Sequence, residues 1–255
     1  MTHPVRGKYG CLPTPKDHRC QRFAALAAAI PDLPPPPASV DWTGGRTDWG
    51  MMGNDRVGNC TIAEAGHLQM AWAAAAGQPI PQPPDDQILA AYSAVSGYDP
   101  QTGANDNGAA CSDVLNYWQQ TGIAGNKISG YAAVTPSNWD HVRQAVNLFG
   151  GVYAAFTVPS FAEYQFDHGQ PWSQPWGWYS SVGGHAVPIL AYSPAGLTCV
   201  TWGRLQQLTW DFFFRYFTDI YAVVDPLWFN QSQYGRSPVM LSIQQTLADL
   251  PAVAA

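Results

Sequence analysis

The side chain in this sequence best suited to nucleophilic chemistry is the Cys60 thiol, within Gly58-Asn59-Cys60-Thr61-Ile62-Ala63-Glu64-Ala65-Gly66-His67-Leu68. Backbone N–H groups at a helix start carry partial positive charge, which favours thiolate over thiol and lowers a cysteine pKa from its usual value of about 8.5. The alternative is a structural cysteine capping an ordinary core helix, because cysteine is among the most buried residue types. His185 is the second chemical candidate: it follows Gly183-Gly184 and opens an apolar run, where a purely structural histidine is the competing reading. The histidines at 3, 18, 67, 141, 168 and 185 make no pair at metal-ligand spacing. The cysteines at 11, 20, 60, 111 and 199 contain no Cys-x-x-Cys. Neither metal nor cofactor is expected, and His67 is expected at the surface or partly buried.

The elements that must hold these residues follow from pattern. Ile62, Ala65, Leu68, Gln69 and Trp72 recur three or four apart, and an alanine run from Ala73 to Ala76 precedes a stop at Gly77-Gln78-Pro79. The spacing predicts a helix with Cys60 in its first turn and Gly58-Asn59 as turn and cap. A second helix is expected from Asp85 through Val95, ended by Gly97, and a third from Ser112 to Gln120. Asp99 to Gly108 is expected to be a turn-rich loop rather than a calcium loop, because the EF-hand order is absent. The second half changes character. Ile128 to Val134 is strand-like, Ser137 is expected to cap a helix from Asn138 to Phe149, and Val152 to Val158 is a strand. Phe161 to Ser181 shows no regular period and is expected to be a long loop. Gly183 to Tyr192 and Leu197 to Gly203 predict an antiparallel hairpin, and Phe212 to Val224 a final aromatic strand. Helices followed by strands indicate an α+β fold, with a helical subdomain (about 38–125) packed on a strand-rich antiparallel one (about 126–230) and a cleft between them. Residues 1–37, ending in Leu33-Pro34-Pro35-Pro36-Pro37, are expected to form an extended strap that wraps the 38–255 domain, and 231–255 a C-terminal tail.

Composition narrows the classes. Apolar residues make up 46% of the 255 and charged residues only 12%, so a large core is available. A net charge of −6 with 12 basic residues argues against nucleic acid as a partner. No apolar run is long enough to span a bilayer, and Met1 to Gly10 holds Arg6 and Lys8 without a following signal-peptide core, so no membrane association and a cytoplasmic location are expected. Most of the cysteines are accordingly read as reduced thiols, with a Cys11–Cys20 pairing left open. Oligomeric state is not legible.

The order Val40-Asp41-Trp42, a polar residue at Asn54, Cys60 opening a helix, His185 followed by Ala186-Val187 and a hairpin, and then Trp202-Gly203 resembles the papain-like cysteine peptidases, uncharacterised phage and bacterial proteins among them. The resemblance spans about Val40 to Val224, and Gly10 to Phe23 is similar to the strap before the domain in some bacterial members. It implies a cleft in which the His185 imidazole takes the Cys60 proton, the thiolate attacks a peptide carbonyl, and the proton passes to the leaving amine. Asn54 falls where the family has an oxyanion-binding glutamine, Trp202 matches the tryptophan that covers the histidine, and Gly183, Gly184 and Trp202 are implied to contact substrate. The family's third catalytic asparagine is replaced. Counting back from Trp202 puts Val200 there, whereas counting forward from His185 puts Thr201, and the two predict opposite strand faces. Val57 stands where secreted members carry a disulfide cysteine. The resemblance thus implies a cysteine peptidase or related amide hydrolase acting on a peptide or protein. The alternatives are a non-catalytic papain-like module, for example of a phage particle, binding through the cleft or the Trp172-Trp176-Trp178 loop, and a cysteine acyltransferase or amidase.

Overall fold

A computed structural model describes residues 6–15, 22–30, 33, 35–78 and 82–229. The expected tail over 231–255, Cys20 with its open pairing to Cys11, and part of the Pro79 to Pro84 linker lie outside the described residues. In chain order the elements begin with β1 (Cys11–Leu12), α1 (Phe23–Ala29), β2 (Val40–Asp41), α2 (Cys60–Ala75), α3 (Asp85–Ser96), β3 (Ala109–Ala110) and α4 (Cys111–Gln120). They continue with β4 (Gly130–Ala133), α5 (Trp139–Phe149), β5 (Val152–Pro159), α6 (Ser160–Asp167), β6 (Ser181–Ser193) and β7 (Gly196–Thr201). The described chain closes with β8 (Arg204–Leu208), α7 (Trp210–Tyr216), β9 (Phe217–Val224) and α8 (Pro226–Phe229).

Helix α2 is the axis of the molecule. Every residue from Cys60 to Ala73 is buried, so this helix has no solvent face and is enclosed by other elements on all sides. Close packing is possible at Gly66 because a Cβ there would run into the Met52 sulfur. Trp72 is fully buried, stacks on Trp118 of α4 and donates its indole N–H to the Phe149 carbonyl at 2.9 Å. The helix is tied to the sheet by Tyr153, whose hydroxyl donates to the Thr61 carbonyl at 2.8 Å, and by Glu64, whose carboxyl accepts from the Ala154 N–H.

Among the described residues the main sheet has seven strands, in the order β4-β9-β5-β6-β7-β8, with β2 pairing the far end of β6. All of these pairings are antiparallel. The thirteen-residue β6 carries His185 opposite Phe156 of β5. A separate parallel pair joins β1 to β3, which brings residue 11 of the strap beside Ala109. The architecture is α+β.

Several expected elements differ in detail. Asn138, not Ser137, caps α5, accepting from the His141 N–H, and Gly150 ends it in the left-handed region at φ 69°. The segment expected as a loop from Phe161 to Ser181 begins with α6, whose burial rests on only Ala162, Gln165 and Phe166. The aromatic run expected as strand from Phe212 starts as α7, because Thr209 caps it through the Phe212 N–H and Asp211 suits its first turn. The strap is not wholly extended either. The alanine-rich Phe23–Ala29 segment coils into a helix that buries Phe23 against Phe149 and His141. Trp72→Ala should lower unfolding stability by about 3–5 kcal/mol, read from the denaturant midpoint by circular dichroism.

Candidate active site

Cys60 is the first residue of α2 and His185 lies a few residues into β6, so each is set by a rigid element rather than a loop. Both line one small cavity with Asn54, Glu64, Thr201 and Trp202. Its volume is about 10 Å³, barely the space of a single water. His185 Nε2 lies 2.8 Å from the Thr201 hydroxyl oxygen, so Thr201, at the end of β7, supplies the partner that the two residue counts left open against Val200. Nδ1 of the same ring is buried without a hydrogen-bond partner. A buried N–H without an acceptor is costlier than an idle lone pair, which favours the tautomer with its proton on Nε2, donated to Thr201. The free Nδ1 lone pair is then available as a base.

Trp202 covers this ring, with centroids 5.0 Å apart. It sits at φ 45° in a two-residue turn with Gly203 at φ 77°, joining Thr201 to its strand partner Arg204. Two consecutive positive φ values are the signature of a type I′ hairpin. A tryptophan tolerates that strained conformation because its ring is packed against His185 and Phe166.

The centre is closed by the chain's own strap. The Lys8 N–H donates to the Asn54 carbonyl at 2.8 Å, the Asn54 side-chain amide donates back to the Lys8 carbonyl at 3.0 Å and to the Val57 carbonyl at 3.1 Å, and the Gly10 N–H donates to Gly184 O at 3.3 Å. The Ala109 N–H donates to the Gly10 carbonyl at 2.9 Å. Tyr9 lies edge-on to His185, leans on Trp202 and donates its hydroxyl to Glu163 at 2.7 Å. Position 10 admits only glycine, because a Cβ there would overlap the Gly58 carbonyl, and Gly184 is equally confined by the Cys11 carbonyl. Ion pairs from Arg6 to Glu163 and Asp167, and from Lys8 to Asp106, lie at the rim and contribute little. The backbone and side-chain hydrogen bonds of the strap are worth about 0.5–1.5 kcal/mol each, so the closure is reversible in principle. Beside the strap a groove of about 500 Å³, lined by Leu12, Ala155, Gly183 and Asp219 among others, stays open.

Burial reverses the electrostatics expected of a helix start. It drives the Cys60 pKa up, aided by the nearby Cys11 and Glu64, while backbone hydrogen bonds from Ala186 and Gly10 pull the other way. Burial likewise lowers His185 to about 3, with His67 adding to the effect. The closed site therefore holds a neutral thiol and a neutral imidazole. His67 is buried rather than superficial, its Nε2 3.1 Å from the Gly50 carbonyl. Trp172 of the aromatic loop is fully buried, while Trp176 and Trp178 are exposed. Sequence reasoning did not bring residues 7–11 into the cleft, nor Glu163 and Asp167 beneath them. The glycines at 7 and 10 were the only local sign, and glycine has many other uses. Among the described residues no group of three or more His, Cys, Asp or Glu side chains could hold a metal ion, and no helix is long and apolar enough to cross a membrane.

The architecture is shared with solved structures. Xylellain, a cysteine protease from Xylella fastidiosa, superposes with a TM-score of 0.64 at 16% identity, covering 88% of this chain and 98% of that one. Digestive procathepsin L 3 of Tenebrio molitor larval midgut gives 0.55 at 14% identity over 87% of this chain and 76% of that one. Procathepsin B S9 from Trypanosoma congolense gives 0.53 at 10% identity over 87% and 86%. No family model and no curated protein matches the sequence.

The closed state loses stability against the open one wherever His185 is protonated in the open state but not in the closed. That begins as pH falls below about 6.5, the free imidazole value, and continues down to about 3. The raised Cys60 pKa acts in the opposite sense, disfavouring closure above about 8.5, where an opened thiol ionises. Amide exchange at Gly10, corrected for the intrinsic rate, should therefore be slowest between about pH 6.5 and 8.5 and rise toward pH 5; a flat profile would contradict the assignment.

Proposed function

From a chain folded as the papain-like cysteine proteases are, we propose a cysteine peptidase or related amide hydrolase in which Cys60 is the nucleophile and His185 its base, held latent by residues 6–12. The observation that carries this reading is the His185 ring itself: one nitrogen is fixed by Thr201 and the other, unpartnered, shares its cavity with the Cys60 thiol. A neutral imidazole oriented in this way accepts the thiol proton through Nδ1. The resulting imidazolium keeps its Nε2–H on Thr201, and the thiolate attacks a carbonyl carbon. The proton then passes from Nδ1 to the departing amine, and water releases the acyl group from sulfur with the same histidine as base.

The strap also supports a peptide substrate. The Asn54 amide, which lines the same cavity as the Cys60 thiol, donates to a peptide carbonyl, Lys8 O, and a substrate carbonyl entering once the strap leaves would meet the same donor. Such donors stabilise the negative oxygen that develops as the thiolate adds, and losing one costs about 100- to 1000-fold in rate. Gly184 offers its carbonyl to a backbone N–H, now that of Gly10, and Gly183 lies against Tyr9. A groove that hydrogen-bonds extended backbone from both walls suits a polypeptide. Two of the similar structures are proforms by their own names, procathepsin L 3 and procathepsin B S9. The sealing of the thiol favours a second reading, a fold of this type kept for a non-catalytic role.

Opening the cleft separates the two. Gly10→Val, whose Cβ the slot cannot accept, should raise the rate of Cys60 alkylation by iodoacetamide at pH 7 by at least about tenfold and unmask hydrolysis of a mixed peptide library. Adding His185→Ala should abolish both. Equal, slow alkylation of the opened proteins with and without His185 would leave the non-catalytic reading. In the opened protein, Asn54→Ala should cost about 100-fold or more in kcat with less effect on KM.

A further inference from the structure

Cys11 and Cys111 face each other with their sulfurs 3.7 Å apart, one on the strap in β1 and the other at the first position of α4. A disulfide needs the sulfurs at about 2.05 Å, so they must approach by about 1.7 Å. The surroundings are built to keep the two together. The parallel pairing of Cys11 with Ala109 and Leu12 with Ala110 delivers the strap to the start of α4, and the Ala109 N–H holds the Gly10 carbonyl. Cys111 is fully buried, whereas Cys11 is partly exposed. The two thiols bridge the cleft-closing segment and the body that it closes, 100 residues apart in sequence.

We infer that Cys11 and Cys111 form a reversible disulfide that fastens the strap across the cleft, making the opening of the site dependent on thiol redox state. The inference rests on the strap being the closure of a Cys60 centre, as proposed above.

A low-molecular-weight disulfide such as glutathione disulfide suffices as oxidant. The more exposed Cys11 attacks it as a thiolate, its sulfur bonds to one glutathione sulfur, and the second glutathione leaves and takes up a proton. The Cys111 thiol, kept protonated chiefly by its hydrogen bond with Cys11 and then by burial, loses the first of these restraints once Cys11 is capped. Its thiolate attacks the Cys11 sulfur and expels the second glutathione. In balance, two protein thiols are oxidised to one disulfide and one glutathione disulfide is reduced to two thiols, which carry the two protons. The same exchange run backwards, with excess reduced thiol, frees the strap. In a reducing compartment disulfides are usually transient and regulatory, and this one lies where breaking it matters.

The test uses the full chain equilibrated in glutathione buffers of graded redox ratio. Peptide mapping by mass spectrometry should find Cys11 joined to Cys111 in the oxidised protein. Amide exchange at Lys8, Gly10 and Ala109 should slow by at least about tenfold on oxidation, because a tether raises the effective concentration of the strap at its slot. Dithiothreitol should reverse the change, and Cys11→Ser, on the partly exposed partner, should remove the response. Mapping that joins Cys11 to Cys60 or Cys20, no disulfide at any ratio, or exchange unaltered despite the Cys11–Cys111 link would each overturn the inference. These readouts do not depend on catalysis. Cys60 alkylation, followed in the same samples, should slow in parallel. If Cys60 stays inert even in reduced Gly10→Val protein, whose strap is displaced, the peptidase reading fails while mapping and exchange still decide the tether.

Discussion

Everything at the site depends on how helix α2 is fixed against the sheet. A helix enclosed on all sides cannot rely on an amphipathic stripe to choose its orientation, so its direction and height are set by buried polar contacts. Tyr153 holds the Thr61 carbonyl and the Ala154 N–H holds Glu64, both within the first two turns, while Trp72 reaches the Phe149 carbonyl near the other end. These bonds have no water to compete with them, and breaking any one strands a polar group in the core. Burial pushes the Glu64 carboxyl well above the usual carboxylate range, which disfavours an unpaired charge beside the Cys60 thiol. The result is a helix tip, carrying the Cys60 thiol, clamped to the strands that neighbour His185.

The strap across the Cys60–His185 cavity sets the charge state of both groups. By sealing a cavity scarcely larger than one water, it removes the solvation that charged forms need, and thiol and imidazole both relax to neutrality. The fit relies on absent side chains. Gly10 and Gly184 let two backbones approach within a distance that any Cβ would forbid. Tyr9, by contrast, uses its full side chain, leaning on the histidine and its covering tryptophan and reaching Glu163 on α6. Steric exclusion therefore sets the register of the strap, while the hydrogen bonds supply only modest affinity. A segment held in this way can be released by a small input of free energy, and the Cys11–Cys111 contact places a covalent control at the same point.

Thr201 illustrates how a single hydroxyl can orient an imidazole. A hydroxyl 2.8 Å from Nε2 offers one acceptor where an amide side chain would offer a carbonyl on a planar group. It still fixes which nitrogen faces the cavity, and Trp202 in its strained turn restrains the ring plane. Orientation is shared between a hydrogen bond and packing, so the ring has two independent restraints.

The sequence by itself determined the helix that begins at Cys60, the helical-then-stranded order, the hairpin after His185 and the resemblance to papain-like peptidases, because these rest on local spacing, capping and breaker residues. It misjudged α7, whose aromatic run favours strand by propensity while Thr209 and Asp211 favour helix. It also missed α6, which buries only a few of its residues and so carries a weak periodic signal. Between Val200 and Thr201 the sequence had no means of choosing, since one residue of register reverses the face of a strand. Only the tertiary structure decided that question, together with the course of residues 6–12 through the cleft, the neutral state of Cys60 and His185, and the meeting of Cys11 with Cys111. The physical reason is common to all four: each depends on contacts between segments far apart in the chain and on the exclusion of water that those contacts produce, and neither leaves a mark on the spacing of nearby residues.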